Sequence, residues 1–176
     1  PSGVIQAFKM AKKSVASRLI LAGGTATDDP ESDKVLAEVR DKAEGDPDIH
    51  ILSIPPGSDI EINALQRAAT VVVQKSLKEG FGLTVSEALW KAKPVVASAV
   101  GGIPLQVKNR FTGLLSHGIE GTAYAIRQLL TNPEYATWLG NNGREHVRQN
   151  FLITRHVRDY LLLFLSLDHP QEVIYL

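Results

Sequence analysis

Two carboxylates, Glu79 and Glu87, bracket two glycines and a phenylalanine in "EGFGLTVSE" (79–87), a stretch that joins an apolar run to a helix-forming one. Gly80 and Gly82 have no Cβ, so the backbone there can take conformations closed to other residues and a ligand can approach the peptide amides. The following helix starts near Leu83 or Thr84. Its first N–H groups have no partner within the helix and carry about half a positive charge. Phosphate is the usual occupant of such a helix mouth. The loop lacks the P-loop lysine and the GxGxxG spacing, which argues against nucleoside triphosphates and dinucleotides. The acids call for something else: a phosphate repels a carboxylate, whereas a hydroxyl donates to it. A ligand both hydroxyl-rich and phosphorylated is a nucleotide sugar, and seven intervening residues allow one acid to stand at the loop entry and the other one turn into the helix.

Plainer readings compete for the same residues. Thr84-Val85-Ser86-Glu87 is a T-x-x-E capping box, in which Glu87 only returns to the Thr84 backbone N–H for roughly 1 kcal/mol. Glu79 reads equally as a solvated loop acid, Gly80 and Gly82 as a tight turn, and Phe81 as core. Gly101-Gly102, after "VVASAV", presents a second set of amides or simply turns the chain.

These residues need a frame. "PSGVIQAFKMAKKSV" carries Val4, Ile5, Phe8, Ala11 and Val15 at helical spacing, and the chain reads as a domain cut from a longer polypeptide. "SRLILAGG" (17–24), "DIHILSIPP" (48–56), "TVVVQKS" (70–76), "PVVASAV" (94–100) and "TGLLS" (112–116) read as strands. Helices alternate with them: "KVLAEVRDKAEG" after the turn-rich 25–33, then "GSDIEINALQRAA", capped by Ser58 or Asp59 with Ile60, Leu65 and Ala68 inward, then "LTVSEALWKAK". The remainder is helical, broken at Asn132-Pro133 and near Phe151. Short, β-branched strands without polar alternation must be covered on both faces, which implies an α/β fold with a Rossmann-like doubly wound parallel sheet. Such sheets bind ligands outside the carboxyl ends of their strands, where "EGFGLT" falls.

Composition narrows the field further. The chain has 176 residues, about one domain, with 19 basic and 19 acidic side chains and no long basic run, so nucleic acid is a poor partner. It has no cysteine, which excludes disulfides and thiolate metal sites and fits a cytoplasmic, reducing compartment. No apolar run reaches the ~18 residues of a membrane span.

Taken together, "EGFGLTVSEALWKAKPVVASAVGGIPLQV" closely resembles the retaining glycosyltransferases of the GT-B fold that share an E-x7-E motif, a group that includes glycogen and sucrose-phosphate synthases. The longer "NALQRAATVVVQKSLKEGFGLTVSEALWKAKPVVASAVGGIPLQV" is most similar to the trehalose branch, the glycosyltransferring synthases and the related phosphorylases. Leu105-Gln106 stands where most members carry Glu after "GG-x-P", a departure that fits this branch. The resemblance implies the C-terminal, donor-binding half of a GT-B enzyme over 1–176, with its first strand and its diphosphate-binding Arg and Lys upstream. It also implies an N-terminal acceptor domain that supplies a catalytic histidine, and it leaves a homodimer open.

By the same resemblance, Glu79 binds the donor sugar hydroxyls and is the catalytic candidate. Glu87 binds the ribose diol. Amides around Phe81, Gly82, Leu83 and Thr84 face sugar and diphosphate, and Gly23 and Ile54, with Ser53, lie near the base. The implied donor is ADP-, UDP- or GDP-glucose, the acceptor a sugar such as glucose, with no cofactor and no metal. The five histidines here read as surface or structural.

Overall fold

The structure, a computed structural model, describes residues 1–24 and 30–170. Strands and helices alternate from α1 (Ser2–Ala11) through β1 (Leu19–Gly23), α2 (Pro30–Ala43), β2 (Ile49–Ser53), α3 (Asp59–Ala68), β3 (Val72–Gln74), α4 (Leu83–Trp90), β4 (Val95–Ser98), α5 (Ile103–Gln106) and β5 (Leu114–Ser116). Three helices follow: α6 (Ile119–Thr131), α7 (Pro133–Asn150) and α8 (Ile153–Asp168). The expected turn over 25–33 lies at 25–29 outside the described residues, and from Pro30 the chain is already helical.

Every ladder is parallel, as short β-branched strands joined by helical crossovers require. Among the described residues they form two sheets rather than one, β1-β2 (Leu19 opposite Ile49) and β3-β4-β5 (Val72 opposite Val95, Val96 opposite Leu114). Side-chain alternation divides the core around β4. Val96 packs with Leu114, α1 and α6, while Val95 and Ala97 pack with α4, α5 and Val147 of α7. Helices on both faces of a parallel sheet make the doubly wound architecture. Helix α1 serves both sheets: Ile5 and Phe8 pack on Val39, Ala43 and Ile49, whereas Ala7 and Ala11 join the cluster over β4 and β5. Coverage is complete only at β4. In β1 and β2 most residues are partly or fully exposed, Ile20 at 50%.

Local chemistry sets the helix ends where the chain is read easily. Asn132 caps α7, its Oδ1 accepting from the Tyr135 N–H at 3.0 Å, with Pro133 in the first turn. Helix α7 then lies close against the end of α4, because Gly140 and Gly143 leave room for the Ala92 carbonyl and for Leu89 and the Thr112 carbonyl. Two expectations for α3 fail. Ser58 is its N-cap but its side chain makes no capping bond, and the buried residue is Gln66, while Ile60 is 81% exposed. Of the residues expected inward, Leu65 is half-buried beside Gln66, whereas Ile60 and Ala68 are exposed, because a polar side chain finds tertiary partners at the centre of that face. Helix α8 has no buried residue and exposes Ile153, Val157, Tyr160, Leu161, Phe164 and Leu167.

Candidate functional site

The site is built where β3 and β4 empty into their loops. Gln74 ends β3, and its Nε2 donates both to Ser76 Oγ (2.9 Å) and to Glu79 Oε2 (3.2 Å); Ser76 Oγ also donates to Glu79 Oε2 (3.2 Å). One carboxylate oxygen of Glu79 is thereby anchored to the strand end. Its Oε1 takes no hydrogen bond from the described residues. Glu79 is therefore a held group rather than a freely solvated loop acid.

Gly82 is the N-cap of α4 with φ +87°, in the left-handed region that favours glycine, and a Cβ there would stand 3.2 Å from Ile103 Cγ1. Gly80 is under no such demand, since a Cβ would meet nothing within 4 Å. The loop's carbonyls are secured from the next segment: Gly102 N–H donates to Gly80 O (2.8 Å) and the fully buried Gln106 donates its Nε2 hydrogen to Phe81 O. In a planar trans peptide the N–H points opposite to the C=O. Holding the Gly80 and Phe81 carbonyls toward 101–106 therefore turns the Phe81 and Gly82 N–H groups the other way. The N–H groups of Gly82, Leu83 and Thr84 meet no acceptor among the described residues, and they stand at the positive end of α4.

The Gly101-Gly102 pair has the other of its two expected roles. Gly101 has φ +55°, and a Cβ on it would stand 2.7 Å from the Glu79 carbonyl carbon; one on Gly102 would stand 2.8 Å from Gly80 O. These glycines let two loop backbones touch. They do not form a second amide cradle, because the Gly102 N–H is already used.

Glu87 overturns the capping-box expectation. Thr84 is inside α4 rather than at its cap, and the Glu87 side chain turns to α3. Glu87 Oε2 accepts from Gln66 Nε2 (2.8 Å), and Gln66 Oε1 accepts from Lys91 Nζ (2.6 Å). Phe81, expected in the core, is 38% exposed and its ring packs tilted on Phe151 at 5.7 Å. Phe151 meets His146 edge-on, and His146 Nε2 lies 3.1 Å from Leu105 O. Asn150 Nδ2 donates to the His146 carbonyl, so the same Nδ2 must also donate to Nδ1, and Nε2 carries the hydrogen shared with Leu105. His146 is thus a structural histidine that props the loop indirectly.

Gly23 and Ile54 come together at the carboxyl ends of β1 and β2, Ile54 N–H donating to Gly23 O at 2.9 Å. Gly23 and Ser53 end the two strands of the first sheet and Ile54 follows directly; none of the three makes a hydrogen bond to the Glu79 loop. Sequence reasoning missed Gln66, Gln74, Ser76 and Gln106 as supports. It also missed Lys75, whose Nζ bonds Ser98 Oγ (3.1 Å) at the carboxyl ends of β3 and β4 and, among the described residues, lies within 4 Å of no carboxylate. The signal available was position for Gln74, Lys75 and Ser76, which sit at or just after the end of β3; Gln66 and Gln106 lie inside helices and carried none.

The arrangement defines a class: a doubly wound α/β domain whose α4 mouth, with amides that meet no acceptor among the described residues, lies between two anchored carboxylates. The sequence profile of the glycosyl transferases group 1 family matches residues 1–146, and the chain belongs to that family. It is 49% identical over 169 residues to a trehalose synthase of Rubrobacter xylanophilus, covering 95% of this chain and 40% of that protein. It is 37% identical over 137 residues to a trehalose phosphorylase of Grifola frondosa, covering 74% of this chain and 19% of that one. The chain spans about 40% of the length of the trehalose synthases it matches. Among solved structures, a sucrose-phosphate synthase of Thermosynechococcus elongatus superposes with a TM-score of 0.76 at 28% identity, covering 96% of this chain and 43% of that one. The Anabaena protein HepE, solved in complex with UDP, superposes at 0.78 with 22% identity, covering 93% and 44%, and shares the fold. These likenesses place the chain with the C-terminal domains of GT-B glycosyltransferases. No described helix is long and apolar enough to cross a membrane.

Proposed function

We propose that residues 1–176 are the donor-binding domain of a cytoplasmic retaining glycosyltransferase, one that transfers glucose from a nucleoside diphosphate glucose to an acceptor sugar, glucose, to give trehalose. The observation that carries the reading is the pairing of an outward-facing amide run at the head of α4 with two carboxylates, Glu79 and Glu87, each fixed by one oxygen and open at the other. The amides of Phe81, Gly82, Leu83 and Thr84 take the diphosphate and adjoining sugar oxygens. Glu79 accepts hydroxyls of the transferred glucose, Glu87 accepts the ribose diol, and Gly23 with Ile54 lies beside the base. The 49% identical relative is named a trehalose synthase, which supports the product.

In this mechanism no side chain of the domain attacks the sugar. Catalysis comes from orientation and from stabilising charge on the leaving diphosphate, by preorganised amides that need not reorient as charge develops. Glu79 fixes the ring while the anomeric bond breaks and the incoming hydroxyl, on the same face, forms the new bond; the proton it loses passes to the leaving phosphate oxygen. The diphosphate-binding Arg and Lys and the domain that holds the acceptor belong to further parts of the same polypeptide, so the 176-residue chain by itself binds nucleotide weakly and turns over nothing.

The test is made on the full-length protein. ADP-, UDP- and GDP-glucose are each supplied with glucose, and the product's anomeric configuration is read by NMR. Trehalose formation that collapses in Glu79→Ala is the expected result; transfer undiminished by Glu79→Ala would sink the role. A second reading, phosphorolysis on the same scaffold, is favoured by the likeness to trehalose phosphorylase. Formation of glucose phosphate from trehalose and inorganic phosphate, with no requirement for a nucleotide, would select it.

A further inference from the structure

Glu87 and Lys91 stand four residues apart on consecutive turns at the end of α4, the acid on the N-terminal side. That order is the favourable one for a direct ion pair along a helix. The pair is not formed. Lys91 Nζ instead donates to Gln66 Oε1 at 2.6 Å and, at 3.4 Å, to the Glu87 backbone carbonyl, and Gln66 Nε2 donates to Glu87 Oε2 at 2.8 Å. Gln66 is 7% exposed and reaches this position from α3, where it is the one buried residue.

The polarity of this bridge is fixed by chemistry. A lysine ammonium only donates and an ionised carboxylate only accepts, so one end of the amide matches each. Flipping the amide would set donor against donor and acceptor against acceptor. A carboxylate paired with Lys91 would be held by a cation on a flexible four-carbon stem, free to cover both oxygens. With Gln66 interposed, one oxygen is anchored by a neutral donor and Oε1 keeps its lone pairs free of protein donors among the described residues.

We infer that Gln66 is a positioning residue: it diverts Lys91 from Glu87, and so keeps that carboxylate oriented and available to accept the two hydroxyls of a ribose. The inference rests on the proposed role of Glu87 as diol acceptor. It assigns to Gln66 a function separable from tying α3 to α4, because a tie is lost whenever Gln66 is lost, whereas the diversion matters only while Lys91 is present.

The experiment compares the full-length protein with Gln66→Leu, Gln66→Leu/Lys91→Met and Glu87→Ala. Affinities for UDP, ADP and GDP are measured by calorimetry beside their 2′,3′-dideoxy forms. Wild type binds the ribose form more tightly, and Glu87→Ala abolishes that preference. Gln66→Leu is expected to weaken the ribose form by about tenfold or more, on the scale of one hydrogen bond to a charged group, and to leave the dideoxy form unchanged. Removing Lys91 as well is expected to restore most of the loss. Should Gln66→Leu fail to fold, as judged by near-ultraviolet circular dichroism, Gln66→Met with and without Lys91→Met makes the same comparison. An unchanged ribose preference in the Gln66 variant, or a loss that persists after Lys91 is removed, overturns the inference while Glu87 keeps its role. A ribose preference that survives Glu87→Ala overturns both.

Discussion

Gly101→Ala tests whether the two touching loops hold the amide run in place. The new Cβ would overlap the Glu79 carbonyl oxygen and lie 2.7 Å from its carbon, whereas carbon atoms in contact sit about 3.5–4.0 Å apart. The carbon contact alone requires the loops to part by about 1 Å, and the closer oxygen requires more. Alanine at φ +55° adds about 1–2 kcal/mol, and the parting breaks the Gly102–Gly80 hydrogen bond, worth about 1 kcal/mol. Together these give roughly 2–3 kcal/mol, less than the ~5–15 kcal/mol by which domains are stable, so the variant folds. At about 2–4 °C per kcal/mol for a domain of this size, Tm falls by roughly 5–10 °C. The effect on sugar transfer is larger than stability alone implies, because a 1 Å misplacement of an oriented group costs on the order of 100-fold in rate. Calorimetric scanning and initial-rate assays of the full-length protein read the two effects separately. Gly80→Ala is the control for the fold: it meets open space and shifts Tm by no more than a surface change does, within about 0.5 kcal/mol. If Gly101→Ala matched wild type in both Tm and rate, the coupling of the loops would be wrong.

Two further outcomes follow from packing and charge. Gly140→Ala places a Cβ 2.8 Å from the Ala92 carbonyl carbon, and the backbone it meets cannot swing aside; it is expected to cost at least the ~1–3 kcal/mol of an overpacked core, more than Gly143→Ala, whose Cβ meets the movable Leu89 Cδ2 at 2.5 Å, as read by denaturant midpoints. Lys12 hydrogen-bonds Asp46 (2.6 Å) and Asp48 (2.7 Å), which raises the Lys12 pKa and, through Lys12 first, lowers that of Asp46. The depressed Asp46 stabilises the fold above the ordinary carboxylate range and loses that contribution as pH falls through its folded value; the raised Lys12 does so below about pH 10.5 and loses it above. Lys12→Met is therefore expected to flatten both limbs of a stability-against-pH curve, and a curve parallel to wild type would refute the pairing.

Local signals in the chain were reliable where the physics is local. The break at Asn132-Pro133 is set by a capping side chain and an imino acid three residues or fewer from what they affect, and it falls where expected. The strand cores at 95–98 and 114–116 follow from apolar, β-branched runs too short for helices. The split into two sheets and the thin cover of β1 and β2 were not legible, since edges and faces are decided by what lies beside them. Inside the site, the acids and glycines could be read because their types are unusual for a loop. Their supports could not. Glu87 fits a capping box by spacing, yet its partner Gln66 is 21 residues away, and Gln106 reaches Phe81 across 25. Leu105-Gln106 registered only as a departure from a pattern, while its use, a buried amide gripping a loop carbonyl, depends on a contact that no window of sequence contains.

The two sheets also bear on how the molecule comes apart. Their crossovers differ in length by less than twofold, and loop closure changes by only about 0.6 kcal/mol per doubling, so span does not rank them. Burial does. Strand β4 is wrapped on both faces and belongs to the last part to open, whereas β1 and β2, thinly covered, can open at lower free energy. Thermal fluctuation is thereby steered toward the edge bearing Gly23 and Ile54, and the stretch carrying Glu79 and Glu87 rests on the part that yields last.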